Sequence, residues 1–212
     1  MDSSVWKLTL DQLRAAVARG PVPAGVSVCA IAATLALDLI AACLQTTGRR
    51  KSFSGDREQV ANLLERVRSE ADRMKHLADD DVAAYEAFLS SRRVMPGTDP
   101  SADRSAVSEL ALRQASEVPI KVARSAIASL ELCALAVPVV NGAMAPDLGS
   151  SAALLAAAVR AAARSAEANA RRMTDTEYRR AIKRERRKIE TEAAALAARI
   201  LKSIALRIES QG

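Results

Sequence analysis

The chain has 212 residues, of which 50% are hydrophobic and 26% charged, with a net charge of +6. That length makes one domain or two small ones, and that mix is not a disordered chain. Forty-five alanines against five aromatic residues argue against a sandwich or barrel, which draw on β-branched and aromatic side chains, and favour helices packed close together.

Periodicity and stop signals predict six helices. The first covers about 9–19 and ends at Gly20-Pro21. It opens without the basic start and apolar run of a secretory leader, so a cytoplasmic protein is expected. After the Pro-rich PVPAG, a second helix covers about 26–46 and is expected to stop at Gly48. Its apolar stretch is long enough to span a bilayer, but Asp38 lies in the middle, so a buried helix of a soluble bundle is the better reading and no membrane partner is expected. A third helix runs about 56–92 and stops before the turn-rich MPGTDPSAD. A fourth covers about 102–139, broken or kinked at Pro119 and ended by Pro138. Asn141-Gly142 and Pro146 make a turn before a fifth helix at about 150–173. The sixth, about 175–209, opens with Thr174 and Glu177 in capping-box spacing. No strand pattern appears, and the chain reads as a single all-α domain over residues 1–212.

The third helix carries one carboxylate on an apolar face. Steps of four and three give Val60, Leu64, Val67, Ala71, Met74, Ala78, Asp81, Tyr85 and Phe88, and only Asp81 is charged. Burying an unpaired carboxylate is costly, so such a group raises its pKa or finds a donor. A raised aspartate suits a general acid–base step. Two other readings stand beside it: the stripe ends near Met74 and the three aspartates are a surface cluster, or Asp81 is structural and caps a neighbouring helix.

On the fifth helix, Ser165 and Asn169 are four apart and share a face with Leu155, Ala158 and Ala162. They either orient a ligand or bond a neighbouring helix. His76 lies off the Asp81 stripe and reads as solvated. Three cysteines and one histidine, without a Cys-x-x-Cys, give neither a disulfide framework nor a zinc site. There is no phosphate loop, no Gly-x-Ser-x-Gly and no Cys–His pair.

Residues 171–188 hold nine bases and three acids, a surplus equal to that of the whole chain. Such a run is most often a solvated helix face. A basic helical nucleic-acid-binding protein is an alternative, but Tyr178 is the only aromatic residue there, so base stacking has little support and no nucleic-acid partner is expected.

Several motifs in order resemble the cyclodeaminase/cyclohydrolase family, which comprises the C-terminal domain of formiminotransferase-cyclodeaminase and stand-alone methenyltetrahydrofolate cyclohydrolases. Pro23-Ala24-Gly25-Val26-Ser27 is similar to the family's glycine-rich turn, with Ala24 and Val26 standing where the family has glycines. Gly48-Arg49-Arg50-Lys51-Ser52-Phe53 matches its glycine, bases and aromatic, and Leu77 to Tyr85 its acids, Ala-rich step and aromatic. Glu117-Val118-Pro119-Ile120, Asn141, Asp147, Asn169 and Thr174-Asp175 follow in order, while a family asparagine is Ser165 here.

The resemblance implies an all-helical, dimeric fold with folate bound in a cleft associated with the dimer interface. It implies hydrolysis of 5,10-methenyltetrahydrofolate to 10-formyltetrahydrofolate, or the related formiminotetrahydrofolate cyclodeamination, with no cofactor beyond the folate substrate. Asp81 matches the catalytic aspartate. Pro23, Gly25, Ser27, Asn141, Asp147, Ser165 and Asn169 would bind substrate, with Arg50 and Lys51 on its glutamate carboxylates. The lone aspartate requires a hollow beside it large enough for a pterin. A catalytically silent folate-binding or scaffold homologue is the main alternative, because two turn glycines are replaced.

Overall fold

The computed structural model describes residues 4–91 and 103–209. A 3-10 turn at Val5–Lys7 precedes α1 (Leu10–Arg19), α2 (Gly25–Arg49), α3 (Arg57–Ser91) and α4 (Asp103–Ala136). A second 3-10 turn, Gly142–Met144, leads into α5 (Ala145–Ala170) and α6 (Thr176–Glu209). The described residues form no strand. The turn-rich loop expected between α3 and α4 lies largely outside the described residues.

Helices α2 to α6 run alternately up and down. Ser27 meets Asp81 and Gly48 faces Val60, so α2 and α3 are antiparallel. The Ser125 hydroxyl donates to Glu70 between α4 and α3. Asn169 bonds Ala115 near one end of the α4–α5 pair, and the Cys133 thiol approaches the Leu148 carbonyl near the other. Arg164 pairs with Glu190, and Arg186 with Glu167, between α5 and α6. α2 also packs on α5, which closes α2–α5 into a four-helix square with α6 laid along α4 and α5.

The core explains the alanine content. Ala30, Ala33, Ala36, Ala123, Ala126, Ala152, Ala162 and Ala166 are fully buried among Leu37, Ile40, Leu44, Met74, Leu130 and Leu155. Small residues let helix axes approach closely, and each fully buried leucine contributes about 1.5–3 kcal/mol. α2 and the stretch Gly142–Ala170 have mean hydropathies of 2.2 and 1.3, high enough to cross a membrane, yet 56% and 44% of those windows are buried within the fold.

Expected boundaries shift by a few residues, with α4 ending at Ala136 and α5 at Ala170, and at three helix ends the structure shows the cause. α2 runs through Gly48 to Arg49, because Gly48 sits at a close approach: a Cβ there would lie 3.3 Å from Val60 Cγ1. α5 begins at Ala145 instead of 150, with Pro146 in its first turn, where the missing N–H costs nothing. α6 is capped by Asp175 and not by Thr174: Asp175 Oδ1 accepts the Tyr178 N–H at 2.9 Å, while Glu109 takes the Thr174 N–H and hydroxyl.

α1 has a complete capping box of Thr9 and Gln12 but no buried residue. Its approach is fastened to α3, where Asp79 accepts the Val5 N–H at 2.9 Å and the Ser4 hydroxyl at 2.8 Å, and Trp6 Nε1 donates to the Lys75 carbonyl. Gly20, at φ +53°, supplies the left-handed turn that ends it.

Candidate functional site

Asp81 sits where the stripe on α3 predicts, half-buried between Ala78 and Val82, which are buried. Its neighbours divide the other work of the acidic triplet: Asp79 holds the N-terminal 3-10 turn and Asp80 is exposed. The Asp81 carboxylate faces the first turn of α2. Oδ2 accepts the Ser27 backbone N–H at 3.0 Å and the Ser27 hydroxyl at 2.5 Å.

That contact has a local cause. A helix start leaves free N–H groups, usually met by a side chain at the residue before the first turn. Here that residue is Ala24, which offers none. Asp81 supplies the cap from the neighbouring helix. The capping reading therefore holds. Burial pushes the Asp81 carboxyl above its usual value, and the two hydrogen bonds from Ser27 pull part of the way back. Among the described residues, Oδ1 has no donor, and it is not a buried orphan, so it stays open to solvent. The thiol of half-buried Cys29 is pushed up by burial and by the charge of Asp81.

Ser27 is fully buried and commits its hydroxyl to Asp81, so its position is that of a partner to the acid. Pro23 is buried, Gly25 is exposed, and a Cβ on Gly25 would meet nothing within 4 Å. Ala24 has ordinary extended angles, φ −121° and ψ −162°. The Val26 side chain, 7% exposed, belongs to the core. The turn's own backbone therefore accommodates both non-glycine residues.

The nine other expected site residues divide between the two ends of α2, and among them Ser27 bonds Asp81. Pro23, Gly25 and Ser27 share its end of the bundle, and the antiparallel register places Ser165 and Asn169 near that end of α5. Arg50, Lys51, Asn141 and Asp147 stand at the opposite end of α2. Arg50 caps its C-terminus and is exposed, as is Lys51. The Asn141 N–H donates to Thr47 Oγ1 at 3.1 Å, while its side chain caps the second 3-10 turn. Asp147 is exposed in the first turn of α5. The helix rise separates Ser27 from Arg50 by roughly 35 Å, too far for one small ligand.

Asn169 has a structural task. Pro119 lies inside α4 and has no N–H for the Ala115 carbonyl four residues before it. Asn169 Nδ2 fills that vacancy, donating to the Ala115 oxygen at 2.6 Å. Pro119 therefore neither ends nor breaks the helix. Ser165 is half-buried.

The main concavities among the described residues lie away from Asp81. A mostly apolar concavity of about 580 Å³ lies between α1 and α2, lined by Leu13, Val17, Val28 and Ile31 with Asp11 and Arg14 at its edge. Four others of 400–610 Å³ lie elsewhere, and Asp81 lines none of the five. Among the described residues no three His, Cys, Asp or Glu side chains converge on a metal position. All three cysteines are free, and burial pushes the Cys43 and Cys133 thiols up to about 11 and about 12.

A buried network passed unnoticed in the sequence. Glu167 on α5 accepts from Arg171 at 2.8 Å and from Arg186, which also reaches Glu190. Burial opposes its ionisation, but the hydrogen bonds and charges of the two arginines outweigh that and hold it below its usual value. The signal was a lone acid on the alanine-rich face of α5, four residues from Arg171.

Comparison with known proteins places this arrangement. The profile of the family described as formiminotransferase-cyclodeaminase matches residues 9–188. The chain belongs to that family. Its fold agrees: the crystal structure of a formiminotetrahydrofolate cyclodeaminase from Thermotoga maritima superimposes with a TM-score of 0.84 at 20% identity, over 95% of this chain and 98% of that one. Among curated proteins, none matches. The all-helical bundle expected from the sequence is thus the cyclodeaminase fold.

Proposed function

We propose that this member of the formiminotransferase-cyclodeaminase family acts as one domain on a one-carbon derivative of tetrahydrofolate, with Asp81 as its general acid–base. The favoured reaction is hydrolysis of 5,10-methenyltetrahydrofolate to 10-formyltetrahydrofolate. The observation that carries it is the carboxylate itself: raised by burial, fixed through Oδ2 by Ser27, and open at Oδ1. Water adds to the cationic methenyl carbon while Asp81 takes its proton. The C–N5 bond then breaks as that proton passes to N5, and the hydroxyl proton leaves as the formyl carbonyl forms. The negative charge of Asp81 also favours the cation before attack. Formiminotetrahydrofolate cyclodeamination would use the same group, with ammonia leaving. The folate is substrate, and the residues call for no separate cofactor.

The site would be completed by a second copy. α2 presents Val28 (39% exposed) and Leu35 (58% exposed) outward, and α1 buries nothing. A two-fold contact across the middle of α2 covers that side. With the two α2 helices antiparallel, it would carry the partner's Arg50 and Lys51 to the Asp81 end, where they would meet the substrate's glutamate carboxylates. Leu35→Glu should convert a dimer to monomers in sedimentation. The free thiols suit a reducing, cytoplasmic setting.

The test is the absorbance of methenyltetrahydrofolate. The protein should speed its loss, and Asp81→Asn, which keeps an acceptor for Ser27, should slow that by about 10²–10⁴-fold. Equal rates in both proteins would remove Asp81 from the chemistry. Tight folate binding without turnover would favour the silent homologue, although Val26, tucked into the core, does not argue for it.

A further inference from the structure

The folate chemistry leaves the basic run of α6 unused. Arg180, Lys183, Arg184, Arg187 and Lys188 are all exposed. Their spacing of three and four puts them on the outward side of α6, opposite buried Ile182 and Ile189. None of the five forms an ion pair among the described residues. Neighbouring acids are turned inward: Glu185 holds Arg124 at 2.6 Å, and Glu190 holds Arg164 and Arg186. Glu177 and Glu192 bracket the ridge without pairing to it. The result is a row of like charges about 12 Å long that repel one another, with no counter-charge paired to it among the described residues.

We propose that this ridge binds the phosphate backbone of nucleic acid without reading its bases. The row matches two or three successive phosphates, and point charges on flexible stems suit backbone contact. Tyr178 has its hydroxyl buried and Arg113 stacked 4.2 Å from its ring centroid, so it offers no stacking platform. The lack of aromatic residues thus counts against base recognition and leaves backbone binding untouched. A membrane surface fits less well. The exposed apolar residues of α6, Leu201, Leu206 and Ile208, begin roughly 20 Å further along the helix, so the ridge has nothing to insert.

The test is fluorescence anisotropy of a labelled mixed-sequence DNA duplex of about 20 base pairs with the full chain, from about 50 to 200 mM NaCl. Two or three phosphate contacts predict a log–log salt slope of about −1.8 to −2.7. Arg184→Glu with Arg187→Glu should weaken binding at least about tenfold, and the Gln pair, which keeps helix propensity, should weaken it less. Circular dichroism checks that both variants stay helical. No binding at the lowest salt, undiminished binding by a folded Glu variant, or binding to phosphatidylserine vesicles but not to the duplex would each overturn the proposal.

Discussion

Replacing Asn169 by alanine tests whether its amide repairs α4. The Ala115 carbonyl belongs to a residue only 6% exposed and has lost its helical donor to Pro119. Removing the 2.6 Å bond from Asn169 leaves that oxygen unsatisfied, which costs about 1–3 kcal/mol. Pro119→Ala returns an N–H four residues from the carbonyl. In that background the loss of Asn169 should cost about 0.5 kcal/mol or less, a coupling of about 1–2 kcal/mol between the two sites. Urea unfolding of the two single variants and the double variant measures it. Additive effects, within about 0.5 kcal/mol, would show that Asn169 does not stand in for the missing amide. That result would return Asn169 to the ligand-binding residues.

Three more predictions concern the acids. Asp81→Ala should destabilise the fold by about 1 kcal/mol through loss of the α2 cap, while Asp81→Asn should cost less; equal losses in thermal unfolding would argue against capping. The raised Asp81 pKa means that the folded state holds its proton more tightly than the unfolded chain. Its contribution to stability is therefore full below the ordinary value of 3.8 and is lost as pH rises through the raised value, and Asp81→Asn should abolish that loss in pH-dependent denaturation. Glu167 has the opposite sign: its contribution is present above 4.5 and lost as pH falls through the depressed value. Glu167→Gln should cost about 1–3 kcal/mol at neutral pH and flatten the acid limb; an unchanged acid limb would refute the assignment.

The helices were legible because alanine-rich periodicity and the Gly20-Pro21 stop are local signals. Asp81 was legible as an exception on a regular face. Its partner was not, because a cap supplied from 54 residues away leaves no trace near Ala24. Gly48 and Pro119 misled for the same reason. Gly48 answers to Val60 across the α2–α3 contact, and Pro119 is tolerated because Asn169 faces it from α5. The motif residues Arg50, Lys51, Asn141 and Asp147 could be found in order along the chain, yet order does not give distance, and the length of α2 sets them apart from Asp81.

One carboxylate closes the end of a helix and is also the group proposed to move a proton. Whether or not a family member turns over folate, discarding this acid would meet a folding penalty. An aspartate retained at this place in a relative is thus poor testimony that the relative is an enzyme; a vanished Oδ1 opening would say more.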